Sequence, residues 1–149
     1  MSLAIRTALP SDAACIAPLF DLYRQFFTGR ADIETSRRFL AERLERNESV
    51  VVAAFEDEAA VGFLQLYPLF SSWYAKRQWF LSDLYVVGSH RKRGIGRRLV
   101  CSGIDVARSD GSRSILVEIP LSQPHLIAFY ISLGFAKDEV FELYRVKLE

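Results

Sequence analysis

The chain has 149 residues, of which 50% are hydrophobic and 25% charged, the composition of an ordinary globular domain. A net charge of +1 argues against a protein that binds nucleic acid over its whole surface, and the N-terminus lacks a secretion-signal pattern. Two distant cysteines and two histidines predict no metal site. We therefore expect one cytoplasmic domain over residues 1–149, with no nucleic-acid and no membrane partner.

The first half of the chain predicts a strand, two helices and a hairpin. An apolar stripe after Pro10 is typical of a helix, which Pro18 should kink or divide. β-branched residues on both sides of an acidic turn favour two paired strands. Apart from the first helix, the predicted ranges are Leu3–Arg6 (strand), Thr35–Arg46 (helix), Ser49–Phe55 (strand) and Ala60–Tyr67 (strand).

The second half alternates strands with helices. A helix rich in aromatic residues should end at Gly134. The other predicted ranges are Trp79–Val87 (strand), Gly94–Arg108 (helix), Ser114–Ile119 (strand) and Val140–Leu148 (strand). The order β-α-α-β-β-β-α-β-α-β predicts an α/β fold of the α+β type, with a mixed sheet flanked by helices, because strand–helix–strand units need crossovers and the hairpin supplies antiparallel pairs.

Positive charge is concentrated where the fourth strand leads into the third helix. No acidic residue occurs between Asp83 and Asp105, whereas five Lys/Arg surround Gly94-Ile95-Gly96, and without them the chain would carry −4. We call residues 91–96 the glycine turn. A helix N-terminus presents backbone N–H groups and a favourable dipole to anions, and glycine lets a phosphate approach closely. The pattern predicts a pyrophosphate site, although a solvated basic face is the simpler alternative.

The glycine turn does not fit the two common phosphate-binding loops. Five residues lie between Gly88 and Gly94 and no Lys-Ser/Thr pair follows, which excludes G-x-x-x-x-G-K-[ST]. The third glycine of G-x-G-x-x-G is replaced by Leu99.

Two motifs carry a family resemblance. Arg91-x-x-Gly94-x-Gly96 resembles the R/Q-x-x-G-x-G/A signature of the GNAT superfamily of acyl-CoA-dependent N-acyltransferases. The segment from Ala128 to Phe135 is similar to the closing motif A-x-x-[FL]-Y-x-x-x-G-F of that superfamily. The predicted element order is also that of the GNAT fold, over essentially the whole chain. Two motifs in the right order are more specific than either alone.

The resemblance implies acetyl-CoA as cosubstrate. It places the pantetheine arm along residues 84–87, where a backbone N–H near Val86 would polarise the thioester carbonyl. Gln123 stands where the superfamily usually has Asn, so its longer reach leaves that contact open. The implied cofactor-binding residues are Tyr85, Val86, Val87, Arg91, Lys92, Arg93, Gly94, Ile95, Gly96, Arg97 and Gln123.

The catalytic candidates are Tyr130, Asp83 and Glu118. The resemblance implies that Tyr130 protonates the leaving thiolate, and a phenol, with an ordinary pKa of about 10, holds its proton more tightly than a thiol at about 8.5. A core aromatic is the alternative for Tyr130. Asp83 and Glu118, on strands that should diverge at the active site, are equal candidates for the base. The family's common Glu falls at Ser82, so no base carries over directly.

Six of the 19 aromatic residues lie between Tyr67 and Phe80, around a predicted loop at Ser71-Ser72. Such a cluster favours a binding wall or a subunit interface, hence a possible homodimer, and core packing is the alternative. The segment resembles a GNAT subgroup with fungal enzymes acting on histone tails, polyamines and D-amino acids, which implies a primary-amine acceptor. Charged residues suit two kinds of acceptor: Asp21, Asp83 and Glu118 a cationic amine, and Arg24 or Arg77 a carboxylate-bearing one.

The resemblance implies an N-acetyltransferase. Its acceptor would be the primary amine of a small molecule or peptide, which attacks acetyl-CoA directly through a tetrahedral intermediate. The main alternative is a non-catalytic CoA-binding or regulatory domain on the same fold.

Overall fold

The computed structural model describes residues 2–149 in two compact parts, 2–118 and 119–149, which are described separately. The strands are β1 (Leu3–Thr7), β2 (Val50–Glu56), β3 (Ala59–Ser71), β4 (Lys76–Val86) and β5 (Ile115–Val117), and the helices are α1 (Ala13–Thr28), α2 (Ile33–Glu45), α3 (Ile95–Ser109) and α4 (His125–Ser132). Within residues 2–118 the strands form one sheet in chain order. Strands β1 to β4 are antiparallel and β5 runs parallel to β4. The predicted mixed α/β fold is confirmed.

Helices α1 and α2 are fixed by their ends and by their buried faces. Helix α1 ends at Gly29, whose φ of 74° is the left-handed conformation that glycine tolerates, and α2 begins after Asp32, whose side chain accepts the Thr35 N–H at 3.2 Å. The predicted division at Pro18 is wrong, because α1 continues through it. A proline in the second turn removes one N–H donor, a loss that the fully buried Ile16 and its neighbours offset.

Strand β3 separates two apolar layers. Phe63 packs against α1, with its ring 6.0 Å from that of Phe20, while Leu64 points to the opposite face. A Cβ added at Gly103 of α3 would lie 3.1 Å from the Leu64 side chain, so the missing Cβ lets α3 approach the sheet closely. Full burial of a Phe or Leu side chain contributes about 1.5–3 kcal/mol.

The predicted loop around Ser71-Ser72 is wrong in extent. Strand β3 includes Ser71 and β4 begins at Lys76, so only residues 72–75, with Ser72 among them, form the turn. Phe70 pairs with Arg77 across the hairpin, and the guanidinium lies 5.1 Å from the Phe70 ring and 5.5 Å from the Trp79 ring. These cation–π contacts stabilise the pairing of β3 and β4 near the end of the hairpin.

Residues 119–149 contain α4, which follows Pro124 and ends at Ser132. Gly134, two residues further on, has φ of 97°. The predicted strand Val140–Leu148 is not among the strands of the described chain. A strand is defined by hydrogen bonds to a neighbouring strand, and residues 119–149 taken alone supply none. Along residues 2–149, every helix is too short or too polar to cross a membrane.

Candidate active site

Strands β4 and β5 stop pairing partway along β4. Their parallel pairing ends at Leu81 with Val117, while β4 continues to Val86 beside β3. Among the described strands, none lies on the other side of β4 beyond Leu81. Asp83 and Glu118 lie just past the last pair, Asp83 within β4 and Glu118 after the end of β5, and the divergence of their strands stays a prediction. We call the open edge of β4 from Ser82 to Val86, with Glu118 opposite it, the fork.

The backbone of β4 directs hydrogen-bonding groups toward this open edge. The Val87 N–H donates to the Val61 carbonyl at 3.0 Å, so Val87 faces β3. Since successive residues of a strand alternate, the N–H and C=O of Val86 point away from β3. The Val86 carbonyl accepts a 2.9 Å hydrogen bond from Arg91 Nε. The Val86 N–H is thus the group that the edge offers to a ligand.

The side chains of Tyr85 and Val87 do not lie on that edge. Both pack, partly buried, against the core cluster formed with α1 and α2. The Arg91 guanidinium lies 5.4 Å from the Tyr85 ring centroid. By the same alternation the backbone groups of Tyr85 and the Val87 N–H face β3, so the cofactor contacts of these two residues stay predictions.

Asp83 is a buried carboxyl beside a β-bulge. The β3–β4 register shifts so that Gln65 pairs with Asp83 and Leu66 with Leu81, which leaves Ser82 as the extra residue. Asp83 is 5% exposed and accepts hydrogen bonds from Gln65 Nε2 at 2.5 Å and Ser82 Oγ at 2.9 Å. Burial raises the pKa of Asp83, and hydrogen bonds from Gln65, Ser82 and Tyr23 oppose the rise. A carboxylate with a raised pKa is a better proton acceptor than an ordinary aspartate.

The glycine turn presents an uncapped helix N-terminus. Helix α3 follows Gly94, whose φ is 78°, and no side chain caps its first turn among the described residues. The first helical hydrogen bond runs from the Arg98 N–H to the Gly94 carbonyl at 3.1 Å, so the N–H groups of residues 95–97 precede the helical ladder. Lys92 is also left-handed, with φ of 60°. Ile95 is only 2% exposed, so its predicted contact reduces to its backbone N–H.

One carboxylate joins the glycine turn to the β2–β3 hairpin. Glu56 accepts from His90 Nε2 at 2.5 Å and from Arg93 Nη2 at 3.4 Å, and the His90 bond lowers the pKa of Glu56. Part of the Arg93 charge is thereby balanced within the protein. The sequence carried no signal for this contact, because Glu56 precedes Arg93 by 37 positions.

Tyr130 and Gln123 belong to residues 119–149. Tyr130 is 4% exposed, its ring centroid lies 5.1 Å from that of Phe129 and 5.3 Å from that of Phe135, and burial raises its pKa to about 12. The phenol therefore stays protonated at neutral pH. Gln123 lies two residues before α4 begins at His125, and its carbonyl accepts the Leu126 N–H at 3.1 Å.

Two predicted acceptor residues are used elsewhere. Asp21 accepts hydrogen bonds from Ser36 Oγ at 2.7 Å and the Asp32 N–H at 3.1 Å, and Arg24 donates to the same Ser36 hydroxyl at 2.9 Å. Both side chains stabilise the α1–α2 junction, which corrects their predicted role. In residues 2–149, no three His, Cys, Asp or Glu side chains are grouped to hold a metal.

Known proteins resemble this chain over most of its length. Residues 16–135 match the acetyltransferase (GNAT) family. The chain is 39% identical over 140 residues to the uncharacterized N-acetyltransferase YhfO of Bacillus subtilis (strain 168), with 94% of each chain covered. A probable acetyltransferase of known crystal structure has a TM-score of 0.92 and 34% identity over 98% of each chain.

A more distant solved structure, an aminoglycoside N-acetyltransferase in complex with CoA, shares the fold with a TM-score of 0.78 at 19% identity, over 98% of this chain and 95% of that one. The chain belongs to the GNAT family of acetyltransferases, which transfer an acyl group to an amine.

Proposed function

We propose that residues 1–149 form a single acetyl-CoA-dependent N-acetyltransferase domain. Its acceptor is the primary amine of a small molecule or peptide, which attacks the acetyl group directly to give a tetrahedral intermediate. The observation that carries the proposal is the fork, whose open β4 edge leads straight into an uncapped, basic helix N-terminus. This arrangement suits a ligand with an amide-bearing arm and a pyrophosphate at one end.

The residues of the fork and the glycine turn fit acetyl-CoA. The open β4 edge can hydrogen-bond the pantetheine arm as an added strand would. The N–H groups before the α3 ladder suit a pyrophosphate, and the position where a Gly94 Cβ would stand has no heavy atom within 4 Å. Arg91, Lys92 and Arg97 add positive charge. A fold neighbour in complex with CoA supports the same choice of ligand.

Acetyl-CoA supplies an activated thioester, and the protein supplies three groups. The Val86 N–H on the open edge donates to the carbonyl oxygen, whose negative charge grows during attack. Asp83 accepts the proton of the attacking amine, directly or through water. Tyr130, protonated at neutral pH, donates a proton to the leaving sulfur.

Asp83 is our preferred base, and Glu118 is the second candidate. Both lie one or two residues beyond the last β4–β5 pair. Asp83 is held at both oxygens inside the sheet, and burial raises its pKa, which suits a proton acceptor. The predicted homodimer and cytoplasmic location stay predictions.

The test is release of free thiol from acetyl-CoA across a panel of polyamines, amino acids, basic peptides and aminoglycosides. We expect turnover with at least one primary amine and none with its N-acetylated form. Saturable acetyl-CoA binding without turnover on any amine would contradict the proposed acetyltransferase activity. It would favour the alternative, a non-catalytic CoA-binding domain.

A further inference from the structure

A chain of polar side chains crosses three strands inside an otherwise apolar layer. Ser49, which precedes β2, donates from Oγ to Gln65 Oε1 at 2.8 Å, and Gln65 Nε2 donates to Asp83 Oδ2 at 2.5 Å. Gln65 is 0% exposed and Ser49 is 7% exposed. Their neighbours on this sheet face include Phe63 and Tyr85.

Packing alone does not account for this chain. A buried amide and a buried carboxyl each lose their hydration, and their mutual hydrogen bond returns little net stability. Apolar side chains of the same shape are often as stable or more stable at such positions. Every buried side-chain N and O of the described residues is satisfied, so the network is complete. A complete buried network directed at one carboxyl points to a role in placing that carboxyl.

The hydrogen bonds have a direction. Because the Ser49 hydroxyl donates to Gln65 Oε1, the Gln65 NH₂ group must face Asp83. The opposite amide orientation would set a carbonyl oxygen against the carboxylate. Ser82 donates to the other Asp83 oxygen, so both oxygens have a donor.

We propose that Gln65, oriented by Ser49, is a positioning residue for acetyl transfer that holds the Asp83 carboxylate at the fork in one orientation and in its ionised form. The inference rests on the proposed function, in which Asp83 accepts the amine proton. It adds two residues from other strands to the machinery of the site.

The groups around Asp83 determine in which direction its pKa should move when Gln65 is replaced. Gln65 and Tyr67 face it from β3, Ser82 from β4 and Tyr23 from α1, whose hydroxyl donates to the Ser82 carbonyl at 2.9 Å. The charge of Arg43, on α2, acts to lower the pKa of Tyr67. Burial and then the charge of Asp83 raise the pKa of Tyr67, which keeps its hydroxyl neutral. The Gln65 bond is the largest of those that lower the pKa of Asp83.

The experiment replaces Gln65 by methionine, which matches its length without a donor. The pKa of Asp83 should rise, so the acidic limb of the kcat/KM profile should move to higher pH. At a pH on that limb we expect kcat/KM to be about tenfold lower than that of wild type, and to recover at higher pH. Ser49→Ala should move the limb in the same direction by less, and Ser49→Thr, which keeps the hydroxyl, should restore it.

A matched control separates this effect from lost packing. Leu64→Val removes one methylene from the neighbouring, fully buried residue, whose side chain points to the opposite face. It should lower thermal stability without moving the pH limb. A limb shift in Leu64→Val equal to that in Gln65→Met would overturn the proposal.

A second measurement does not depend on turnover. The ¹³C NMR titration of the Asp83 carboxyl should shift to higher pH in Gln65→Met. An unchanged titration, or a changed titration with an unmoved pH limb, would contradict the positioning role. Absence of transfer by the wild-type protein would overturn the proposed function and the inference with it, and the titration would still show whether the Gln65–Asp83 bond exists.

Discussion

The glycine turn follows the fork in the chain, after the end of β4, and the two are built from different kinds of group. The turn uses backbone N–H groups, left-handed residues and charges close together in sequence. The fork uses one buried carboxyl, Asp83, which is bonded to the adjacent Ser82 and to Gln65, 18 positions earlier on β3. Binding at the turn should therefore depend on backbone shape and total charge, whereas chemistry at the fork should depend on single side chains.

The largest effect is expected at the fork. Asp83→Asn removes the proton acceptor and keeps the size of the side chain, so kcat/KM should fall by about 10²–10⁴-fold while acetyl-CoA affinity persists. Glu118→Gln is the matched variant at the fork, and it should lower kcat/KM much less. Equal losses in the two variants would remove Asp83 as the specific base.

Asp83→Asn should also change stability. The folded-state pKa of Asp83 is raised, so its stabilising contribution is present at low pH and is lost as pH rises through that pKa. The variant should therefore unfold at a higher temperature than wild type at neutral pH, by about 2–4 °C for each kcal/mol. At low pH the difference should shrink. A lower melting temperature at neutral pH would show that the carboxylate is stabilising.

Tyr130→Phe should give the next largest effect. The ring and its packing remain, and only the phenolic oxygen is lost, so kcat and kcat/KM should fall together by about 10²-fold. A thiolate can leave without a proton donor, so we expect the loss in rate to lie at the low end of the range for an acid catalyst. Wild-type turnover under conditions where chemistry limits the rate would remove Tyr130 from the mechanism.

At the glycine turn we expect loss of binding. Gly94→Val places a β-branched side chain at φ of 78° and fills space that no protein atom occupies. It should abolish the rise in melting temperature that acetyl-CoA gives to wild type. Gly111→Val is the matched control, since Gly111 has φ of 74° and equally open surroundings. Both variants should be destabilised by about 1–3 kcal/mol. Loss of the ligand-induced shift in both would mean that strain, not the turn, is responsible.

The smallest effect is expected at the hairpin tip. Trp73→Ala and Tyr74→Ala should change the acceptor KM by a few-fold, or the oligomeric state, with acetyl-CoA affinity nearly unchanged. Arg113 lies 3.9 Å from the Tyr74 ring, so Tyr74→Ala should also cost some stability. Unchanged kinetics and unchanged mass in solution for both variants would assign these aromatics to ordinary packing.

The sequence predicted local features better than distant ones. The start of α3 and its basic turn follow from motifs and alternation within a few residues. The Ser49–Gln65–Asp83 chain and the Glu56–His90 contact join residues that are far apart in sequence, which no local pattern encodes. The hairpin is longer than predicted because cross-strand contacts of Arg77 outweigh the polar Ser71-Ser72 pair.

Calorimetric titration of acetyl-CoA into Asp83→Asn and Gly94→Val, side by side, tests most directly the division between binding at the turn and chemistry at the fork. Our account predicts wild-type affinity for Asp83→Asn, although its kcat/KM should be about 10²–10⁴-fold lower, and at least about tenfold weaker binding for Gly94→Val. Wild-type affinity in Gly94→Val, or lost affinity in Asp83→Asn, would contradict it.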